Sequence, residues 1–264
     1  MSPVDRKQNY AATGVHLTET LKPLCLIVRY RDVCLQREEN ASFAVGHMAI
    51  AYLLGKLSAK PLNLKPNVPV LLVLSILPDI DILVGVEGFH RGPTHSLITA
   101  VLIFIPFFVL YRQKAIPYFL ALASHGLIGD LFIGGNIQLF WPLSNSHVFL
   151  PSPPFPVISI YGTLNVAIES TLFVVATVVL WKSKDFLLFF RNNMSNLVLA
   201  MPIFTVLLPT VAGYPLSVPV LLLPSHLFYL ILFTAAVLIV VFRGINKVVK
   251  KERSPALQFS KKLL

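Results

Sequence analysis

Leu77-Pro78-Asp79-Ile80-Asp81 and, a few residues on, His90-Arg91-Gly92-Pro93-Thr94-His95-Ser96 form a charged island in apolar sequence, with Val68 to Leu77 before it and Leu97 to Leu110 after it. With Glu87 between them, this short window holds two Asp, two His, one Arg and one Glu. Ionisable groups set beside hydrocarbon-like runs are expensive to keep and mark function by default. The flanking runs place the chain in a membrane, and the island becomes its candidate site.

The composition agrees. Of the 264 residues 55% are hydrophobic and only 13% charged, against roughly 25% charged in an ordinary soluble domain, and the mean hydropathy is +0.74. Apolar runs of about 17–25 residues are long enough to cross a bilayer as helices, and the alternation of a membrane β-barrel is absent. The expected fold is an all-α, polytopic membrane bundle of six or seven transmembrane helices. The spans read as Ala41–Leu57, Asn67–Val84, His95–Tyr111, Ile116–Ile133, Leu164–Trp181, Leu197–Ala212 and Val218–Phe242.

Around these spans the chain divides into a polar extension over residues 1–40, a site-bearing core over 41–143, a Pro-rich external loop over 144–162, further spans over 163–243 and a basic tail over 244–264. The extension lacks the ordered regions of a signal peptide and leaves room for a later start codon. Cys25 and Cys34 are the only cysteines and support no disulfide framework.

A net charge of +10 does not point to nucleic acid, because the Lys and Arg residues sit in short loops and at the ends. Lys56, Lys60 and Lys65, then Arg112 and Lys114, then Lys182, Lys184 and Arg191, then the tail from Arg243 to Lys262 alternate with loops that hold only Arg91. By the positive-inside rule these loops and the C-terminus are cytoplasmic. Seven spans put the N-terminus outside; a six-span version with Ala41–Leu57 re-entrant returns Arg6 and its basic neighbours to the cytoplasm. The seven-span version is preferred, because it brings His47, Asp79, Asp81, His90, His95, His125 and Asp130 to one depth just inside the external face.

Four imidazoles and three carboxylates suit zinc, manganese or iron better than calcium. Seven ligands exceed the needs of one tetrahedral zinc, so the set admits one ion or two. On a regular helix Asp79 and Asp81 lie about 200° apart. Either Pro78 breaks the helix so that both reach the ion, or one ligates while the other orients a histidine. His125 and Asp130 lie about 140° apart on a helix, which makes His125 the firmer ligand of the two, and Gly126 and Gly129 allow a close approach beside them. Arg91 is suited to a substrate phosphate or carboxylate. Glu169, intramembrane and ionisable, is either a general base or a partner in a helix–helix hydrogen bond. His147 reads as an exposed loop residue and His226 as an interhelical hydrogen-bonding one.

Gly46-His47, Pro78-Asp79-Ile80-Asp81, His90-Arg91-Gly92-Pro93-Thr94-His95-Ser96, Ser124-His125 with Asp130, and Trp141-Pro142 together resemble the YdjM-type family of membrane-bound metal-dependent hydrolases over roughly Val45 to Leu143. The resemblance implies a metal centre in the membrane, distantly similar to zinc-dependent phospholipase C, with those seven His and Asp residues as metal or active-site positions. The expected activity is hydrolysis of a phosphoester or lipid-linked substrate near the outer face, with membrane lipids as partners. The competing functional class is a transporter that moves protons or metal ions on the same cluster, and an inert ion-pair network is the structural alternative.

Overall fold

The computed structural model describes residues 43–84, 91–131, 137–148, 158–213 and 217–262; no side chain is described at 82–84 or beyond 247. The polar extension, Glu87, His90 and the proline cluster Pro151–Pro156 lie outside the described residues. Among those described the chain is all-helical, without a strand, and a single antiparallel bridge joins Ile137 to Val148.

The centre is α1 (Ala44–Ala59), which is buried nearly all round over its first nine residues. A helix apolar on every side belongs inside a bundle. Here α1 is flanked by α4 (Ile116–Ser124) and α5 (Thr163–Lys182). Met48, Tyr52, Leu72, Ile76, Phe189 and Phe233 fill the main core around it. In lipid such packing is held by van der Waals contact rather than by escape from water, so close fit matters more than buried area.

The expected second span does not run as one helix. Asn67 caps α2 (Val68–Leu74) by accepting from the Val70 amide at 3.4 Å, and the helix ends at Ser75. Pro78 cannot donate to the carbonyl of residue 74 and its ring crowds that carbonyl. The chain therefore resumes as a 3-10 helix, Pro78–Val84.

Four stretches are long and apolar enough to cross a membrane: Leu97–Asp130, Thr163–Lys182, Met194–Val211 and Leu223–Lys247. The first folds back on itself. Helix α3 (Leu97–Tyr111) ends at Arg112, whose φ of 52° turns the chain, and α4 returns beside it. The rings of Phe104 and Phe119 meet with centroids 4.5 Å apart. A Cβ on Gly126 would lie 2.7 Å from the His95 carbonyl oxygen, although a straight helix over the 31 residues between these positions would put them about 45 Å apart. Ala100 is the one buried residue of α3, so this helix presents its other faces to lipid. The 16 residues of α1 span only about 24 Å, less than a hydrocarbon core of about 30 Å. By length and composition four stretches qualify among the described residues, the first of them folded into two shorter arms, and the six or seven spans expected are not confirmed.

Two later elements also depart from simple spans. Helix α6 (Met194–Val211) passes from 3-10 through a short α segment to a π turn at Ile203–Leu207, with Pro202 and Pro209 interrupting its ladder. Helix α7 (Leu223–Lys262) continues into the basic tail with no break at residue 243.

At the end of α1 away from His47, Tyr52 donates to Asp185 Oδ2 at 2.9 Å and lies 3.1 Å from Ser183 Oγ. Lys56 Nζ pairs with the same Asp185 oxygen at 2.8 Å. This ties α1 to the turn after α5.

Candidate metal centre

Four short elements deliver the site, and each owes its shape to a local sequence feature. Pro78 sets the 3-10 helix that carries Asp79 and Asp81. Pro93 opens the single 3-10 turn Pro93–His95. Ser96 then caps α3, its Oγ accepting from the Ile98 and Thr99 amides. His125 and Asp130 bound a π turn at the end of α4. Its wide i to i+5 hydrogen bonding brings residues five apart onto nearly the same side. His47 projects from the first turns of α1.

Residues 137–141 strap this assembly in place. Gln138 N donates to the Arg91 carbonyl at 3.0 Å and Leu97 N to the Leu139 carbonyl at 3.0 Å. Ser96 Oγ lies 3.1 Å from the Leu139 carbonyl and 2.7 Å from that of Trp141. The sequence marked only Trp141-Pro142 in this strap, since backbone partners leave no residue signature.

The ring protons can be assigned from their partners. His125 Nδ1 is 2.6 Å from the Ser75 carbonyl, which only accepts, so Nδ1 carries the proton and Nε2 is a lone pair in the neutral ring. Thr94 Oγ1 donates to Asp81 Oδ2 at 2.5 Å. His95 Nδ1 lies 3.0 Å from Thr94 Oγ1 and 3.4 Å from Asp81 Oδ2. With Thr94's proton committed to Asp81, His95 Nδ1 is the donor and its Nε2 is likewise a lone pair. Of the two roles open to the Asp pair, this is Asp81 orienting a histidine while Asp79 faces the centre, the arrangement of a carboxylate–histidine–metal relay.

Both Nε2 atoms face the same two carboxylate oxygens. His125 Nε2 is 3.2 Å from Asp79 Oδ1 and 3.2 Å from Asp130 Oδ2; His95 Nε2 is 3.4 Å from each. His125 Nε2 and Asp130 Oδ2 are buried with no hydrogen-bond partner. Four lone-pair atoms converging in a buried space repel one another unless a cation lies among them. Ligand atoms of a tetrahedral zinc, with bonds of about 2.0–2.1 Å, stand about 3.3 Å apart, and the four imidazole–carboxylate distances here, 3.2–3.4 Å, match that spacing. The donor set therefore fits a metal ion.

His47 stands against the four. Its ring stacks on His125 with centroids 4.0 Å apart and its Nε2 is 3.7 Å from Asp130 Oδ1. Two donor groups can be drawn, His47 with Asp79 and His125, and His95 with His125 and Asp130. They share His125, whose second nitrogen is held by Ser75, so both describe one centre.

The remaining expected positions fall elsewhere. Arg91 is buried, with a φ of 64° that turns the chain into Gly92. Glu169 is wholly buried and accepts from the Phe43 and Gly46 amides at the start of α1. His147 lies 3.2 Å from the Gln138 amide nitrogen in an exposed setting. His226 bonds within its own helix, Nδ1 to the Leu222 carbonyl at 2.9 Å, rather than across helices. What approaches Gly129 is not a helix backbone but the His47 ring, whose Cε1 would lie 2.0 Å from an added Cβ.

No curated protein and no solved structure matches the chain. A family model described as YdjM inner membrane protein matches residues 43–218. That match runs from the start of α1 through α6, well beyond the Val45 to Leu143 stretch that carries the resemblance in sequence, and covers two-thirds of the chain. The apolar spans and this match place the protein in a membrane, and the chain belongs to the YdjM inner membrane protein family.

Proposed function

We propose that this protein is a membrane-embedded, metal-dependent hydrolase that holds one divalent ion, zinc or else manganese or iron, on Asp79, His95, His125 and Asp130, with His47 as a fifth donor. The observation that carries this reading is the convergence of two imidazole lone pairs and two carboxylate oxygens at 3.2–3.4 Å. With the rings neutral and each Nδ1 proton engaged by Ser75 or Asp81, acceptors face acceptors, and a cation among them relieves the repulsion.

When bound, such an ion supplies Lewis acidity and makes water acidic enough to act as a nucleophile near neutral pH. The chain's own groups do the holding and orienting. Ser75 and Asp81 fix the His125 and His95 rings through their Nδ1 protons, and the two glycines of the π turn leave space for His47 and for the His95 backbone. The lipid-facing α3 begins two residues after His95, which favours a phosphoester or lipid-linked substrate reached from the bilayer. By the distribution of Lys and Arg, the centre faces outward and the C-terminus is cytoplasmic.

The test is elemental analysis of detergent-purified protein beside Asp79→Ala and His95→Ala, followed by phosphoester and lipid hydrolysis assays with and without the metal found. Near-stoichiometric metal that falls in both variants, with metal-dependent product release, is the expected result. Metal uptake into proteoliposomes without hydrolysis would favour the transporter, and a wild type that takes up no metal would reject the centre.

A further inference from the structure

The first amides of any helix have no partner within it, and inside a bilayer there is no water to satisfy them. Helix α1 begins at Phe43, whose side chain cannot cap. The cap comes from another helix. Glu169 on α5, fully buried, directs Oε1 at the Phe43 amide at 2.7 Å and Oε2 at the Gly46 amide at 2.8 Å, an amide that otherwise reaches only the Phe43 carbonyl three residues back, at 3.0 Å. Charge-assisted bonds of this length are among the stronger ones, and a carboxylate at a helix N-terminus also meets the positive end of its dipole. Gly46 is part of the device: a Cβ there would lie 2.6 Å from Glu169 Oε2.

The residue after Gly46 is His47. A helix advances 1.5 Å and turns 100° per residue, so a small slip or rotation at this start carries the His47 ring away from His125 and Asp130. Both Glu169 oxygens are engaged at the backbone, a poor arrangement for taking a proton from water.

We propose that Glu169 is a positioning residue rather than the general base: its carboxylate caps α1 from α5 and thereby holds His47 as a donor to the ion. This rests on the metal-centre reading above. It assigns a function to an intramembrane carboxylate about 120 residues distant in sequence from the helix it caps.

The test is Co(II) titration of the full-length protein in detergent, read by its visible absorption, for wild type, Glu169→Gln, His47→Ala and the double variant. A glutamine keeps one acceptor oxygen but turns an N–H toward the second amide. Glu169→Gln is expected to weaken Co(II) binding on the order of 10-fold, within the range for groups that orient ligands. Its spectrum should move toward that of His47→Ala, and the double variant should bind no more weakly than His47→Ala alone, because the two act in series. Gly46→Ala, which displaces the carboxylate while keeping it, should give the same spectral shift and replaces Glu169→Gln if that variant does not fold. Additive losses, wild-type Co(II) affinity in His47→Ala, or an unchanged spectrum with turnover lost in Glu169→Gln would each overturn the proposal while leaving the metal centre standing. A wild type that binds no Co(II) would overturn the centre itself.

Discussion

His125 Nε2 and Asp130 Oδ2 lie 3.2 Å apart although five residues separate them along one helix. An α-helix would set them about 140° apart; the π turn His125–Asp130 brings them together. Asp79 and His95 complete the group from the other side, so the wide turn is what closes the donor set. The same turn exposes Gly126 and Gly129 to close neighbours.

Those glycines give the first prediction. Gly129→Ala places a Cβ 2.0 Å from His47 Cε1, and the ring has to swing away. We expect metal affinity to fall roughly 10- to 100-fold, as for loss of a group that orients a ligand, with the fold retained. Gly126→Ala instead meets the His95 carbonyl at 2.7 Å, which is backbone and cannot swing, so it should also destabilise by about 1–3 kcal/mol. Metal titration and thermal unfolding of the two variants side by side would check the contrast; equal behaviour would contradict it.

Asp79 and Asp81 should separate in effect. Asp79 Oδ1 faces both Nε2 atoms, whereas Asp81 contacts His95 Nδ1 and Thr94. Asp79→Asn is expected to abolish stoichiometric metal. Asp81→Asn is expected to weaken it by roughly 10- to 100-fold while keeping a site that fills at higher concentration. Isothermal titration on both decides this, and a reversed order would assign the two carboxylates the other way round.

Metal should stabilise the fold through that same donor set. Ligand at about 100 times its Kd adds about 2.7 kcal/mol to the native state. Adding zinc to metal-stripped protein should therefore raise the unfolding temperature, and the rise should vanish in His125→Ala. A comparable rise in that variant would place the bound zinc elsewhere.

The far end of α1 offers a control. Asp185 accepts from Tyr52 and pairs with Lys56, whose side chain is 31% exposed. Tyr52→Phe removes one hydrogen bond and should cost about 1 kcal/mol. Lys56→Met should cost less, since a partly exposed pair is screened. Neither should change metal content, measured by elemental analysis; a loss there would mean that the two ends of α1 are coupled.

Much of this protein is legible in one dimension, for reasons that are themselves physical. Apolar runs are long because the bilayer is thick, so the membrane class and the helical fold follow from composition and run length alone. The charged island stands out against such runs because ions are costly there, and Asp79, Asp81, His95, His125, Asp130 and His47 are nameable as a group. Helix breakers are local too, so Pro78 supplies a reason for the second span to depart from a helix, an alternative the sequence leaves open.

Tertiary structure decided what depends on partners far along the chain. That Asp81 orients while Asp79 faces the centre turns on Thr94 and His95 standing beside them. The protons on His125 and His95 follow from Ser75 and Thr94, contacts that carry no spacing rule. The break at Arg112 was legible, since Arg112 and Lys114 interrupt the apolar sequence between two expected spans; what the fold adds is the packing of the returning helix, with Phe104 against Phe119 and Gly126 against the His95 carbonyl. Glu169 is the sharpest case: as an isolated residue it is an intramembrane acid, and only the packing of α5 on α1 puts its carboxylate at the two amides that begin the helix of His47. Chemistry and its cost are written residue by residue, while roles within the site are set by which lone pairs and protons the fold brings face to face.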